Sequence, residues 1–284
     1  MKIQKLNYFQ IDKYIIDALK EDITSDDLTT SAIYDEGRIA KISLLSKDEG
    51  IISGLDVFKR VFSIIDSSVE FIEYKKDGDQ VINQELIMEI IGNVKTLLTG
   101  ERVALNFLQR MSGISTTTKK YVDALNDNNI KVFDTRKTTP NLRIFEKYSV
   151  KIGGGFNHRH NLSDAIMIKD NHINAAGSIK KAVSMLREYA PFIKKIEVEV
   201  ENLEMVKEAI ESKVDIIMLD NMDLDMVKKA IEIIDNKAII ECSGNINIKN
   251  INRYRGLKIH YISCGSLTNN AKILDLSMKN LTYI

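Results

Sequence analysis

From residue 130 onward the chain alternates short apolar runs with amphipathic stretches, and this rhythm restricts its fold more than any other feature. Apolar runs stand at 131–133, 166–168, 196–200, 215–219, 238–241 and 259–263. The intervals after 170, 200 and 220 have apolar residues at helical spacing: INAAGSIKKAVSMLREYA, NLEMVKEAIESK and MDLDMVKKAIEII. Strands joined by helices run parallel, because each helix carries the chain back to the edge where the strand began. Two architectures satisfy that rule, a doubly wound sheet and a β/α barrel. The polar residues choose between them. Arg136, Lys169, Glu199, Asp220, Ser243 and Gly265 all stand at or just beyond the carboxyl ends of apolar runs. Many strand ends converging on one face is how a barrel builds its site. A doubly wound sheet gathers its site at one switch point, usually with a Gly-rich first turn. Neither GxGxxG after a strand nor GxxxxGK[ST] occurs. The reading is a β/α barrel, with nearer seven strands than eight.

The first hundred residues follow another pattern. Residues 7–20 place Tyr8, Ile11, Tyr14, Ile15 and Leu19 on one helical face, and EDITSDDLTT then breaks it. Between residues 38 and 97 come the β-like runs RIAKISLLS, GIISG, VEFIEY and LIMEIIG, with DVFKRVFSII as an amphipathic helix among them. Strand after strand with one helix predicts an antiparallel α+β domain. A long helical pattern spans residues 96–125, and Gly113 with the Ser/Thr cluster behind it predicts a break. The expected division is an α+β sandwich domain over 1–103, the barrel over 104–270, and a carboxyl-terminal helix or tail over 271–284 packing back on the first domain.

With 40 basic and 40 acidic residues, net charge is zero, so nothing global favours nucleic acid or an anionic membrane. No apolar run approaches the roughly 20 residues that span a bilayer. The stretch MKIQKLNYFQIDKYI lacks the apolar core of a signal peptide, so the expected location is cytoplasmic. The two cysteines, Cys242 and Cys264, lack metal-ligand spacing and read as reduced thiols in or near a core.

Recognition must therefore be local, and residues 134–172 are where it concentrates. DTRKTTPNLRIFEKYSVKIGGGFNHRHNLSDAIMIKDNH holds three of the four histidines, and seven cations against four carboxylates, a formal +3. Its Gly153-Gly154-Gly155 run offers backbone that a ligand can approach closely. Cations, imidazoles and bare backbone suit a ligand bearing carboxylates or phosphates. In IEVEVE, Glu197, Glu199 and Glu201 alternate with apolar residues and so share one face. Carboxylates pointing into a barrel cost several kcal/mol each unless paired or metal-bound. Asp220 ends the next run. Two such groups suit Mg²⁺, which takes one or two carboxylates together with substrate phosphates. ECSGN and SCGSLT follow the last two runs, and their small residues leave backbone N–H groups able to cradle phosphate.

DTRKTTP, GGGxNHR and IKDNH closely resemble quinolinate phosphoribosyltransferase, the decarboxylating nicotinate-nucleotide pyrophosphorylase of NAD synthesis. The resemblance implies the family's sandwich domain and incomplete, about seven-stranded β/α barrel. It implies a reaction of quinolinate with phosphoribosyl pyrophosphate, giving nicotinate mononucleotide, pyrophosphate and CO₂. It assigns quinolinate to Arg136, Lys137, His158, Arg159 and Lys169, with Arg102 reaching in from the other subunit of a homodimer. Glu199 and Asp220 become the Mg²⁺ and ribose-pyrophosphate site. Lys137, Lys169, Glu199 and Asp220 are the expected catalytic residues, and Lys137, His158 or Lys169 is the source of the final proton. The loops Ser243-Gly244-Asn245 and Cys264-Gly265-Ser266 resemble the family's 5-phosphate loops, with Cys242 in place of Ala and Asn245 in place of Gly. Asn161 stands where relatives often have Gly.

Two other readings compete. A strand-end Lys169 suits a Schiff base, as in class I aldolases, but that leaves the Arg/His cluster and the paired acids without a purpose. A pocket that binds an anion without turnover is the other. A closer rival is a phosphoribosyltransferase paralogue acting on a different ring.

Overall fold

The structure is a computed structural model describing residues 5–34, 37–192 and 195–284. The first four residues of the amino-terminal stretch read above lie outside it. The chain forms two compact units, the first taking in 1–119, 138–154 and 267–284, the second 120–137 and 155–266.

The first unit opens with α1 (Tyr8–Asp22), whose Asn7 side chain accepts from the Phe9 N–H at 3.0 Å. Helix α2 (Leu28–Ile33) follows, capped by Asp27 on the Thr30 N–H at 3.0 Å. Such side chains replace the helical partners that first-turn N–H groups lack. Then come β1 (Ile39–Ser46), β2 (Gly50–Ile51), α3 (Leu55–Ile65), β3 (Glu70–Glu73), β4 (Gln80–Val81), β5 (Leu86–Asn93) and α4 (Val94–Leu125). Strand β1 alternates buried and half-buried residues, the signature of a sheet with one face on a core. It pairs antiparallel with β5, and β5 with β3. Phe58, Phe62, Ile11, Ile15 and Leu97 are fully buried in that core. Asp77 caps α3 by accepting from the N–H groups of Gly54 and Leu55 at 2.9 and 3.0 Å, and Tyr148 donates its hydroxyl to the same carboxylate at 2.7 Å.

Two expectations change here. Helix α4 runs 32 residues without interruption, so Gly113 breaks nothing. A Cβ at Gly113 would lie 1.9 Å from the Lys272 carbonyl oxygen. The glycine is there for close packing, and the hydroxyls after it tie the helix to its neighbours. Ser115 donates to the Ser149 carbonyl at 2.7 Å, and Thr116 Oγ1 accepts from the Ile51 N–H at 2.9 Å. The carboxyl-terminal stretch forms a strand, β12 (Leu276–Tyr283), where the sequence suggested a helix or tail, and it completes the order β12-β1-β5-β3. Gln109 on α4 donates to the Leu276 carbonyl at 2.8 Å, at the start of that strand.

The second unit carries β6 (Lys131–Phe133), β7 (Ile166–Ile168), β8 (Ile196–Val200), β9 (Ile216–Asp220), β10 (Ile239–Ser243) and β11 (Tyr261–Ser263). All six apolar runs became strands. They form one parallel sheet in the order β6-β11-β10-β9-β8-β7, with helices between the strands, as an incomplete barrel requires. About seven strands were expected. The described residues give six, and the seventh position is a single parallel bridge between Phe133 and Phe156. Between β5 and β12 the remaining helices are α5 (Arg143–Ile152, in the first unit), α6 (Asp170–Ala176), α7 (Ile179–Tyr189), α8 (Leu203–Glu211), α9 (Leu224–Ile234) and α10 (Ser266–Asn269); β12 is Leu276–Tyr283. The run INAAGSIKKAVSMLREYA is two helices, not one. Gly177 adopts φ 89°, a left-handed cap that ends α6, and Ser178 starts α7 by accepting from the Lys181 N–H at 3.1 Å. Asn202 and Asp223 cap α8 and α9 in the same way, at 2.9 and 2.8 Å. Helix α9 buries Val227, Ala230 and Ile234. Full burial of a Val or Ile side chain stabilises by about 1.5–3 kcal/mol, and that anchors the strand end before it.

Candidate active site

Strand register brings the charged groups together. Met167 on β7 pairs with Glu197 on β8. Two residues further along, beyond the end of β7, Lys169 Nζ forms an ion pair with Glu199 Oε2. The backbone N–H of Lys169 donates to His172 Nδ1 at 3.0 Å, so the histidine of IKDNH fixes the strand end that presents the lysine. Of the three glutamates in IEVEVE, only Glu197 and Glu199 lie within the strand. Glu201 lies past its end and is exposed. Glu197 is buried, 3% exposed, with its oxygens 3.4 and 3.2 Å from His158 Nε2. The inward carboxylates are therefore paired, as burial demands.

Glu241, in the middle of β10, adds a third acid. Its Oε2 is 3.6 Å from His158 Nε2, and the residue is 1% exposed. Burial, then the neighbouring charge of Glu197, push its carboxyl up to about 7. Below these groups lies a cavity of about 210 Å³ lined by Phe133, His158, Arg159, Glu197, Glu241 and Tyr261 among others.

The loop after Phe156 is held from beneath. Asp134, fully buried, accepts from the His158 backbone N–H at 2.8 Å and from Asn157 Nδ2 at 2.6 Å. Arg159 donates from a guanidinium nitrogen to the Ala165 carbonyl at 2.9 Å. Burial, and then the Arg136 guanidinium beside it, hold the Arg159 pKa below its ordinary value. The carboxylates of Glu197 and Asp164 act in the opposite direction on the same guanidinium. Arg136 is half-buried and Lys137 exposed, both beyond β6, and the Lys137 N–H donates to Thr135 Oγ1 at 3.1 Å.

Asp220 ends β9 half-buried and accepts from Asn221 Nδ2 at 2.7 Å. Asn221 Oδ1 accepts in turn from Asn245 Nδ2 at 2.9 Å. Gly244 is left-handed at φ 87°, and a Cβ there would lie 2.4 Å from Asn221 Oδ1. Asn245 is left-handed too, at φ 51°, a conformation asparagine takes more readily than most residues. Asn245 thus takes a left-handed backbone and bonds the loop to the residue beside Asp220. In the other loop, Cys264 is buried and its N–H already donates to the Phe133 carbonyl at 2.9 Å. Ser266 Oγ lies 2.8 Å from the Tyr121 hydroxyl. Both cysteines are free thiols, and burial pushes each up to about 12.

Arg102 lies exposed on α4 in the first unit. Lys147, one of the seven cations, is buried in α5 at 1% exposure. Gly153 serves packing: a Cβ there would lie 2.4 Å from the Ser115 carbonyl oxygen.

Comparison with known proteins gives the family. The family model for the C-terminal domain of quinolinate phosphoribosyl transferase matches residues 114–279, and the model for its N-terminal domain matches residues 27–112. The chain belongs to the quinolinate phosphoribosyl transferase family. It is 44% identical over 273 residues to a probable nicotinate-nucleotide pyrophosphorylase [carboxylating] of Bacillus subtilis, covering 96% of this chain and 94% of the relative. It is 38% identical to a quinolinate phosphoribosyltransferase [decarboxylating] of Nicotiana glauca, covering 92% of this chain and 80% of the relative. The crystal structure of NadC from Streptococcus pyogenes superposes with a TM-score of 0.96 at 56% identity, covering 99% of each chain.

Within this family fold, sequence reasoning missed Asp134, Asn221 and Glu241. Each carried a signal. Asp134 ends an apolar run just as Asp220 does, Glu241 alternates with Ile240 and Cys242, and Asn221 directly follows a strand-end acid.

Proposed function

We propose that this chain transfers a phosphoribosyl group to quinolinate and decarboxylates the product, giving nicotinate mononucleotide, pyrophosphate and CO₂ for NAD synthesis. The observation that carries this reading is the strand-end placement of the motif residues: Arg136 just beyond β6, and Lys169 just beyond β7 in an ion pair with Glu199 of β8. A ligand with two adjacent carboxylates matches cations set at strand ends. Lys137 adds further positive charge on the same strand-end face.

The chemistry follows from placement and charge. The pyridine nitrogen attacks C1 of the ribose while the bond from C1 to the pyrophosphate oxygen breaks, its electron pair leaving with pyrophosphate. The ring nitrogen becomes cationic. The bond from ring C2 to its carboxylate then breaks, CO₂ departs, and the pair stays on C2, where the cationic nitrogen stabilises it until a proton arrives. Arg136, Arg159 and Lys169 hold the ring acid in line. The Ser243-Gly244-Asn245 loop and the Gly265-Ser266 turn face the ribose phosphate, with Asn221 bonding the first loop to the Asp220 strand end.

Magnesium fits Glu199 and Asp220: both are hard oxygen donors at the ends of neighbouring parallel strands, a donor set that leaves most of the shell to water and phosphate. When bound there, the ion supplies positive charge to the departing pyrophosphate. Lys169 offsets part of the charge of Glu199. The same ion pair counts against the Schiff-base alternative, because it commits the lysine to a carboxylate.

The reading extends to a cytoplasmic homodimer in which Arg102 of one copy completes the site of the other. No helix among the described residues is long and apolar enough to cross a membrane. The deciding experiment is a coupled assay with quinolinate, phosphoribosyl pyrophosphate and Mg²⁺ that follows CO₂ and nicotinate mononucleotide together. Equal amounts of both, lost on adding EDTA, are expected. Product from nicotinate but not from quinolinate would overturn the substrate assignment.

A further inference from the structure

His158 has both ring nitrogens turned toward the protein. The Arg159 backbone N–H donates to Nδ1 at 2.8 Å. A nitrogen that accepts cannot also carry a proton, so the ring proton sits on Nε2. Nε2 faces the buried interior of the sheet, with Glu197 oxygens at 3.2 and 3.4 Å and Glu241 Oε2 at 3.6 Å. The ring thus spans from an acid buried in the sheet to the main chain of Arg159. Asp134 holds the preceding peptide from the other side. An imidazole committed at both nitrogens is a strut, and it is not placed to hand a proton to a substrate ring.

We propose that Glu197 is a positioning residue that acts through His158 to fix Arg159 for a carboxylate of the substrate. This rests on the function proposed above, and it removes His158 from the candidates for the final proton, leaving Lys137 and Lys169. Three features support it. Glu197 is nearly fully buried, and its contact with His158 Nε2 offsets part of its desolvation. Its neighbour Glu241 places Oε2 3.6 Å from the same Nε2, so this end of the ring faces two buried acids. Arg159 lies directly after His158 in the chain, so a rotation of the ring that drops the Nδ1 bond frees the peptide that aims the guanidinium.

Two measurements test it on the full-length chain. The first is nitrogen NMR of the histidine-labelled protein, with the His158 signals assigned by their loss in His158→Gln. The expected result is an unprotonated Nδ1 and a protonated Nε2; a protonated Nδ1 overturns the proposal, whether or not the protein turns over quinolinate. The second is kinetic. Glu197→Leu should raise KM for quinolinate about tenfold while KM for phosphoribosyl pyrophosphate stays within about twofold. Glu197→Gln, whose amide oxygen still accepts from Nε2–H, should restore the wild-type value. A fall in kcat with quinolinate KM unchanged would overturn the proposal by returning His158 to the reacting ring. Both KM values rising together with a lowered Tm would overturn it in favour of packing alone. Wild-type protein that forms no product from quinolinate defeats the function reading, and the NMR result then decides the geometry by itself.

Discussion

At the scale of single residues, the site is built on buried and half-buried charges set against one another, with Lys169 on Glu199 and His158 between Glu197 and Glu241. Lys169 and Glu199 form the ion pair nearest the proposed chemistry, and their side chains lie outside the fully buried core. Lys169→Ala and Glu199→Ala should each lower kcat/KM by at least about 100-fold, with Tm close to wild type, since the first removes a cation that holds the ring acid and the second a carboxylate that would hold Mg²⁺. Near-normal turnover in either variant would remove that residue from the mechanism. Glu241 makes a different, pH-dependent prediction. Its carboxyl titrates at about 7 in the folded chain, above the ordinary value of 4.5. The folded state therefore holds a proton that the unfolded chain has released. That contribution to stability is complete below pH 4.5 and is lost as pH rises through 7. Glu241→Gln removes the titration, so urea unfolding at pH 5, 6.5 and 8 should show the wild type losing stability over this range faster than the variant. Parallel curves would mean that Glu241 ionises at its ordinary pH.

At the scale of elements, glycines were harder to read than charges. Gly113, Gly153 and Gly177 look alike in the sequence, yet one permits a close carbonyl, one a helix-to-helix approach, and one ends a helix. Only the last is a local backbone effect, which is why helix α4 was expected to break and did not. Gly113→Ala tests the distinction directly. Helix propensity favours alanine by about 1 kcal/mol. The contact with the Lys272 carbonyl opposes it, and overpacking of this kind costs about 1–3 kcal/mol or more. The variant should be destabilised, with a lower urea midpoint at unchanged m-value; stabilisation would show that the 272–273 backbone yields easily. Strand β8 teaches the complementary lesson. Alternation put three glutamates on one face, but the strand ends at Val200, and partners exist for only the first two.

At the scale of the whole molecule, the proposed dimer carries the strongest prediction. If Arg102 serves the site of a second copy, Arg102→Ala and Glu199→Ala subunits are each inactive alone, yet a mixed dimer holds one intact site. Random exchange of equal amounts makes half the dimers mixed, so about a quarter of wild-type activity should return. Activity that stays at background after exchange, checked by subunit mixing in native mass spectrometry, would place Arg102 outside the composite site.

The sequence by itself determined the parallel α/β rhythm, all six strands of the second unit, the basic motifs and the strand-end acids. These are local signals: periodicity is set by the geometry of a strand or helix, and charge beside an apolar run is visible without any contact. Tertiary structure alone decided the partners. Whether Glu197 meets an imidazole and Glu199 an ammonium depends on register across β7 and β8. That the carboxyl-terminal strand closes against β1, more than two hundred residues away, depends on pairing between distant segments. The roles of Asp134, Glu241 and Asn221 were hidden for the same reason. A buried polar group is explained by what it bonds, and those bonds join residues that only the folded chain makes neighbours.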